Sequence, residues 1–172
     1  MIIDFLEVFP SKDSCINLIS EKHIFVYEDS TLKKGIFVKA NEVHHIHIQN
    51  DIDDDCFFVQ NDDCVMISEK GGQCDYVIFN SEKLYFVEVK ATDANLKTHK
   101  QKMYKQLENT FKFYKNFLEK FENKFALACF ENINPRGFTK RKIPQSSKSE
   151  KKLLFKMKYD IELLEGNYIG FD

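Results

Sequence analysis

The chain has 172 residues, a length that fits one domain with a substantial hydrophobic core. With 43% apolar and 30% charged residues, it has the composition of a folded soluble protein. No apolar run approaches the roughly 20 residues needed to cross a bilayer. The sequence therefore argues against a disordered chain and against a membrane-spanning one.

Charge is divided unevenly along the chain, although the net charge is only −2. Residues 1–90 carry 8 Lys/Arg and 17 Asp/Glu, whereas residues 91–172 carry 17 and 10. A basic half of this kind predicts a surface that meets a polyanion. Solvated lysines on exposed helix faces explain the charge alone equally well.

The five cysteines are an odd number without a CxxC pair, which argues against a disulfide framework and against a zinc ribbon. We predict that they are reduced thiols in a cytoplasmic protein. The N-terminal segment agrees with this location. Asp4 and Glu7 interrupt its apolar residues and no basic flank is present, unlike in a signal peptide.

The first half of the chain is predicted to contain one short helix followed by a series of hairpins. Residues 11–23 place Cys15, Ile16 and Ile19 at helical spacing, with Ser and Asp available as caps. The segments that follow are short, β-branched or aromatic, and separated by Gly, Asn and Asp clusters. These predicted strands are residues 23–29, 34–40, 42–49, 56–60 and 64–68, with two stronger strands at 74–79 and 84–90.

The second half begins with helical periodicity. An apolar stripe between residues 95 and about 124 predicts the longest helix, packed on the sheet. Residues 125–130 are fully apolar and predict a central strand. Residues 132–152 concentrate Pro, Gly, Ser and basic residues and predict a long basic loop. Residues 153–163 and 167–171 are predicted to close the chain as a hairpin.

Charged side chains stand at the ends of the two strongest strands. An even-length turn at residues 80–83 gives a register that places Asp75 directly opposite Glu88. The same register pairs apolar positions nearer the turn, namely Phe79 with Leu84 and Val77 with Phe86. Opposed like charges destabilise a sheet. Because side chains alternate along a strand, Lys90 shares the face of Glu88, so these three charged residues should form one cluster.

A divalent cation would explain the paired acids. Mg²⁺ is usually held by one or two carboxylates together with phosphate oxygens. It would lower the pKa of a bound water and stabilise charge on a phosphodiester, while Lys90, its own pKa lowered by burial, would orient or deprotonate the water or hold the phosphate. The alternative is that Lys90 merely bridges two acids at a strand end.

These residues resemble the signature of the PD-(D/E)xK nuclease superfamily, with RecB-like and resolvase-like members among its branches. The match comprises Asp75, then Glu88, Val89 and Lys90, and covers roughly residues 63–130. The resemblance implies an α/β domain of α+β type, with a restriction-endonuclease-like central mixed sheet flanked by helices. The strands before Asp75 would be additional N-terminal hairpins, and residues 1–172 would form a single domain.

The resemblance also implies roles for the matched residues. Asp75, Glu88 and the main-chain carbonyl of Val89 would bind Mg²⁺ or Mn²⁺, and Lys90 would assist the attacking water. Some members carry a glutamine on the following helix, for which Gln106 is the counterpart. The tyrosine expected four residues later in the RecB-like version is Thr110 here. Many members add an acid from the first helix, a position open to Glu21.

Basic residues on the long helix and in the basic loop are the candidate contacts to a nucleic-acid backbone. They are Lys97, Lys100, Arg136, Lys140, Arg141 and Lys142. A solvated helix and loop would look similar. His45 and His47 share one strand face and could bind a transition metal if a third ligand were present, although exposed strand histidines explain them more simply.

The function expected from this reading is Mg²⁺-dependent hydrolysis of phosphodiester bonds in nucleic acid, with DNA favoured over RNA. No recognition motif is visible, so a homodimer or a partner protein would direct the chain to its target, by family analogy in defence or repair. The alternative is a non-catalytic binding or assembly protein that keeps the nuclease-like sheet and docks nucleic acid or an acidic protein partner.

Overall fold

The computed structural model describes residues 1–51, 54–67, 71–90, 96–130 and 149–171. The helices are α1 (Ile2–Val8), α2 (Leu96–Phe113), α3 (Lys115–Leu118) and α4 (Ser149–Tyr159), and a short 3-10 turn covers Asp13–Cys15. The strands are β1 (Ile16–Ile19), β2 (His23–Asp29), β3 (Lys34–Val38), β4 (Ile46–Asn50), β5 (Cys56–Gln60), β6 (Tyr76–Phe79), β7 (Lys83–Val89), β8 (Asn123–Cys129), β9 (Glu162–Glu165) and β10 (Tyr168–Phe171).

The described strands form two mixed sheets. The first has the order β1-β5-β6-β7-β8-β9, and the second has the order β10-β4-β2-β3. Strands β1, β5, β6 and β7 pair antiparallel, whereas β8 is parallel to both β7 and β9. A parallel pair requires a crossover connection, and α2 lies in the connection from β7 to β8. The architecture is therefore mixed α and β, as predicted at the level of fold class.

Two apolar cores lie on opposite faces of the six-stranded sheet. One face carries Val77, Phe79, Leu84 and Phe86, which pack with residues of all four helices. The opposite face, which includes Tyr76, Ile78 and Val87, packs against the second sheet. Both faces are covered because β6 and β7 carry apolar or aromatic residues at every position where they pair with each other. The described helices lie on one side, and the second sheet replaces helices on the other.

Several predicted elements are confirmed. Strands β2 and β5 have the predicted bounds, and β2 forms a hairpin with β3. The β6–β7 hairpin has the predicted register, with Phe79 opposite Leu84 and Val77 opposite Phe86. The helix predicted from residue 95 is divided into α2 and α3 by a break at Tyr114.

Two predictions in the first half are wrong. Residues 11–23 form a 3-10 turn and the strand β1 instead of a helix, because β1 pairs with β5 along its whole length. Residues 64–68 were predicted as a strand. The described part of this segment is a turn region with one isolated bridge between Asp62 and Met66.

The predicted C-terminal hairpin is also wrong. Most of residues 153–163 belong to α4, whose Phe155 packs in the helical core. Strands β9 and β10 lie in different sheets, where they pair with β8 and β4. The basic loop is shorter than predicted, because residues 149–152 belong to the first turn of α4. The remainder of that loop lies outside the described residues.

The prediction of five reduced thiols is wrong for two of them. Cys15 and Cys64 form a disulfide that joins the 3-10 turn to the segment after β5. Cys56, Cys74 and Cys129 are buried and lie outside this disulfide. None of the described helices is long and apolar enough to span a membrane.

Candidate active site

Asp75 and Glu88 lie at the end of the β6–β7 hairpin that is farthest from its turn. The last pair of the ladder joins Tyr76 to Val87, so the next position along the same register joins Asp75 to Glu88. Alternation places both side chains on the helix-facing side of the sheet, the side of Val77. The register therefore brings the two acids together as predicted.

Both acids are removed from solvent. Asp75 is 7% exposed and Glu88 is fully buried. Val89 N donates a hydrogen bond to Asp75 Oδ2 at 2.6 Å. Lys90 Nζ lies 2.9 Å from Glu88 Oε1 and donates to the carbonyl oxygen of Val89 at 3.1 Å. Apart from the ion pair, neither oxygen of Glu88 accepts a hydrogen bond from the described residues.

The electrostatics of the site disfavour two negative charges. Burial raises the pKa of Asp75 to about 6, although Lys90 and the N–H of Val89 oppose the shift. Burial and the neighbouring Asp75 raise the pKa of Glu88 well above its ordinary value. A buried acid without hydrogen bonds is costly to the fold unless a positive charge compensates it.

Lys90 does not have the lowered pKa that its partial burial predicts. Burial lowers the pKa of its amine, but the nearby carboxylates of Glu88 and Asp75 outweigh that effect and raise it. In this arrangement Lys90 is an ammonium ion, suited to hold a phosphate oxygen or to orient a water.

Three side chains of α2 hold the segment that leads into Asp75. Gln106 Nε2 and Asn109 Nδ2 donate to main-chain carbonyl oxygens of residues 72–74, at 2.9 and 3.1 Å. Thr110 Oγ1 accepts a hydrogen bond from a main-chain N–H of the same segment at 2.9 Å. The helix thereby fixes the main chain immediately before the first acid.

Close approach explains a glycine in this segment. Gly72 has a φ of +77°, and a Cβ there would lie 3.0 Å from Cγ of Gln106. Gln106, predicted as a catalytic residue, is 8% exposed and uses its amide N–H on the segment, while its Oε1 has no hydrogen bond from the described residues. Its observed contact positions the main chain before Asp75.

Asn61 is a supporting residue that the sequence analysis missed. It is fully buried just after β5, and its Nδ2 donates to the carbonyl oxygen of Cys74 at 2.7 Å. Its main-chain N–H donates to the carbonyl oxygen of Asp75 at 2.9 Å, and its Oδ1 accepts from the hydroxyl of Tyr114 at 2.9 Å. Asn61 thus ties Asp75 to both β5 and the helical layer.

Glu28 is a second residue that the sequence analysis missed. It follows Ile24 and Val26 on the inner face of β2, where both preceding side chains are buried. Its Oε2 is buried and has no hydrogen bond from the described residues. Burial and then the charge of Asp75 raise the pKa of Glu28 to about 8. An acid at an inward position of an alternating strand was the sequence signal.

Strand pairing explains why Glu28 reaches this site from the second sheet. Glu28 pairs with Gly35, whose N–H donates to Gln60 Oε1 of β5 at 3.1 Å. Gln60 in turn pairs with Tyr76, the residue after Asp75. The two sheets therefore approach each other at the end of the hairpin that carries the acids.

The predicted nucleic-acid contacts are only partly described. Lys100 is 9% exposed, and its Nζ lies 3.2 Å from Oε2 of Glu165 and 5.0 Å from the ring centroid of Phe130. A lysine held in this way is not a surface contact, so the prediction for Lys100 is wrong. The side chain of Lys97 lies outside the described residues, as do all atoms of the four predicted loop contacts, Arg136, Lys140, Arg141 and Lys142.

The structure also describes the two histidines, His45 and His47, that were considered as ligands of a transition metal. His45 is buried and its Nδ1 accepts a hydrogen bond from Glu28 N at 2.8 Å, whereas His47 Nε2 lies 3.2 Å from Nδ1 of His23. His45 and His47 thus have different neighbours. Glu21, the predicted additional acid, is exposed in the turn before β2.

The donor atoms allow a test of whether a divalent cation fits. In the described parts of the chain, no group of three or more His, Cys, Asp or Glu side chains is arranged to hold a metal ion. Two carboxylates are nevertheless a normal protein contribution to an Mg²⁺ site, and apart from the ion pair with Lys90 the buried Glu88 oxygens have no partner in the part of the chain that the structure describes. The residues fit a two-carboxylate site at Asp75 and Glu88, with the carbonyl of Val89 beside them.

Comparison with known proteins adds no relative. The chain matches no protein-family model, no curated protein and no solved structure. The resemblance to the PD-(D/E)xK superfamily therefore rests on the motif residues and on the geometry that surrounds them.

Proposed function

We propose that the chain is a divalent-cation-dependent phosphodiesterase of the PD-(D/E)xK type that hydrolyses nucleic acid. The observation that carries the proposal is the pair of buried acids Asp75 and Glu88, with one ammonium, Lys90, 2.9 Å from Glu88 Oε1 and no other partner of the Glu88 oxygens among the described residues. Natural proteins rarely bury two neighbouring acids with a single compensating charge, and such a group calls for an explanation. A cation shared with a substrate phosphate provides one.

The proposed roles follow the donor atoms. Asp75, Glu88 and the Val89 carbonyl would hold Mg²⁺ or Mn²⁺, which supplies positive charge against the phosphodiester when bound. Lys90 would orient the attacking water or hold a non-bridging phosphate oxygen through its ammonium group. Gln106, Asn61 and Thr110 keep the main chain around Asp75 in place. A main chain held at these points keeps the Asp75 carboxylate in one position.

A restriction-endonuclease-like core is part of the proposal. The antiparallel pair β6–β7, the helix α2 and the parallel strand β8 occur in the order that the resemblance implies. The second sheet and its hairpin would be an addition to that core. This arrangement supports the family assignment without a matching relative.

The test compares cleavage of plasmid and single-stranded DNA and RNA by wild type and by Asp75→Asn, Glu88→Gln and Lys90→Met. Each substitution should lower Mg²⁺-dependent cleavage by about 100-fold or more, since each removes charge from the reacting centre. EDTA should abolish cleavage. The matched control is Glu82→Gln, which changes an exposed acid in the turn of the same hairpin and should leave the rate unchanged.

The same preparations should be examined by calorimetry for Mg²⁺ and Mn²⁺ binding. Binding by wild type that is lost in Asp75→Asn and Glu88→Gln supports the cation site independently of activity. Cleavage that persists in the variants would identify a contaminating nuclease. If wild type binds neither cation and cleaves no substrate, the proposal that the chain is a cation-dependent phosphodiesterase is wrong.

One observation favours the non-catalytic alternative, a protein that docks nucleic acid or an acidic partner. Lys90 already neutralises Glu88 through an ion pair of 2.9 Å. In that case Lys90→Met would destabilise the fold while salt-sensitive binding of nucleic acid or partner would survive Asp75→Asn. The cleavage and calorimetry experiments separate the two functions.

DNA as the preferred substrate, a homodimer or a targeting partner, and a cytoplasmic location are further proposals. The Cys15–Cys64 disulfide weighs against the location, because disulfides are rare in the reducing cytosol. Alkylation of the protein in intact cells, followed by mass spectrometry, would show whether this pair is oxidised where the protein resides.

A further inference from the structure

Two histidines meet on the outer face of the second sheet. His23 begins β2, and His47 lies in β4, the neighbouring antiparallel strand. The residues next to them, such as Ile24 and Ile48, are buried in the core between the two sheets, so alternation places both histidines on the opposite face. Nδ1 of His23 is 3.2 Å from Nε2 of His47. Strand pairing therefore brings two imidazole nitrogens together at the surface of this sheet.

Neighbouring rings hold the imidazole of His47 in place. The ring of Phe25, directly opposite His47 in the β2–β4 ladder, stacks on it with centroids 4.6 Å apart and planes inclined by 13°. The ring of Tyr168, its partner in β10, packs edge-on with centroids 5.5 Å apart and planes inclined by 72°. A side chain fixed by packing on two sides is already oriented for a ligand.

The separation of the two nitrogens matches that of two ligands of one metal ion. Zn²⁺ binds imidazole nitrogens at about 2.0–2.1 Å with tetrahedral angles, which places two such nitrogens about 3.3–3.4 Å apart. Square-planar Cu²⁺ or Ni²⁺ with the same bond length brings them to about 2.9 Å. The observed 3.2 Å lies between these values. Coordination of one ion therefore needs rotation of the rings and loss of the proton between them, but no separation of the strands.

We propose that His23 and His47 bind a transition-metal ion of the Zn²⁺, Cu²⁺ and Ni²⁺ class through their two facing nitrogens, with water in the remaining positions. Imidazole suits these ions, whereas Mg²⁺ prefers oxygen ligands. No third His, Cys, Asp or Glu joins the pair within the described ranges of the chain, so the ion keeps positions open for an external ligand. The site lies apart from Asp75 and Glu88, which belong to the helix-facing side of the first sheet, and it does not depend on the proposed function.

The test is calorimetric titration of untagged, metal-free protein with Zn²⁺, Cu²⁺ and Ni²⁺. All titrations use the Asp75→Asn background, so that ions held at the candidate active site do not contribute. The parent protein should bind about one equivalent of each ion, Cu²⁺ most tightly, as at nitrogen sites in general. His23→Gln and His47→Gln should each lower the affinity at least about tenfold, since even residues that only support metal ligands have effects of that size. The matched control is His99→Gln, on α2.

A second measurement identifies the ligands directly. The electron paramagnetic resonance spectrum of the Cu²⁺ complex should show coupling to two imidazole nitrogens, and each histidine variant should remove this signature. Thermal unfolding without metal checks that the variants are folded, which their position on the outer face of the sheet favours.

Each outcome decides the inference. Weaker binding in both His23→Gln and His47→Gln, with unchanged binding in His99→Gln, supports the site. Weaker binding in only one of the pair, or equal affinity in all variants, overturns it, because the ion would then be held elsewhere. Absence of binding by the parent protein also overturns it and leaves the contact as a hydrogen bond between two rings. None of these results bears on the proposed function, which is tested with Mg²⁺ and Mn²⁺ at Asp75 and Glu88.

Discussion

Two lysine–glutamate pairs in this protein each contain a buried glutamate side chain but have different surroundings. Glu165 accepts the hydroxyl of Tyr104 at 2.9 Å in addition to Lys100, which lies over the ring of Phe130. Glu88 has Lys90 and no hydrogen bond from the described residues. Burial alone therefore does not mark a functional site. The distinguishing feature is a buried acid whose oxygens are left for another partner.

The largest expected effect concerns the Lys100–Glu165 pair, whose glutamate also accepts a hydrogen bond from Tyr104. Lys100→Met removes the ammonium from Glu165 and should lower the free energy of unfolding by about 3 kcal/mol, the typical cost of breaking a buried pair. Chemical denaturation at pH 7 measures it. The control is Lys102→Met, which changes an exposed lysine on the same helix. Equal free energies of unfolding for the two variants would contradict the structural role assigned to the Lys100–Glu165 pair.

Asp75, which lies beside Glu88 in the candidate site, should make the free energy of unfolding depend on pH. The pKa of Asp75 is about 6 in the fold against an ordinary 3.8, so the fold prefers the protonated form. That preference contributes fully below pH about 4 and is lost as the pH rises through 6, a change of about 3 kcal/mol. Denaturation between pH 4 and 8 should therefore show a fall in stability that Asp75→Asn reduces and Glu82→Gln preserves. A wild-type protein whose stability rises over this range would contradict the assignment.

A smaller loss of stability is expected from removing the Tyr104 hydroxyl, which donates to Glu165 in the Lys100–Glu165 pair. Tyr104→Phe removes the hydrogen bond to Glu165 and should cost about 1.5 kcal/mol, as for other hydrogen bonds to charged groups. The double variant with Lys100→Met should be less destabilised than the sum of the two changes, because both act on one carboxylate. Additive losses would show that the two contacts are independent.

The smallest expected change has the opposite sign. Glu88→Gln removes a charge that burial and Asp75 disfavour, and the Lys90 side chain that it leaves is 28% exposed and can be hydrated, so at pH 8 the free energy of unfolding should rise by about 1 kcal/mol. The gain should disappear in saturating Mg²⁺, which stabilises only proteins that bind it. A marked loss of stability in this variant would place Glu88 in the same class as Glu165 and weaken the proposed site.

The sequence determined the parts of this protein that depend on short-range geometry. An even turn at residues 80–83 sets the hairpin register, and strict side-chain alternation then brings Asp75 to Glu88. Strands β2 and β5 were equally predictable, because their apolar runs are bounded by polar turns. The long helix followed from its periodicity.

Short or weakly patterned segments were not predictable in this way. Residues 16–19 have apolar spacing that fits either a helix or a strand, and pairing with β5 decides for the strand. In α4 only Phe155 among its apolar residues is fully buried, while Leu153, Leu154 and Met157 stay exposed, so no clear helical stripe is visible in the sequence.

Only the tertiary structure decided which distant residues meet. Packing of the second sheet buries Glu28 where the charge of Asp75 raises its pKa, the fold places Asn61 against Cys74, and it pairs Cys15 with Cys64 across 49 positions. It also turns Lys100 from a predicted surface contact into a buried partner of Glu165. Local pattern fixes the direction of a side chain relative to its own strand or helix, whereas the neighbour that it meets depends on how separate layers pack.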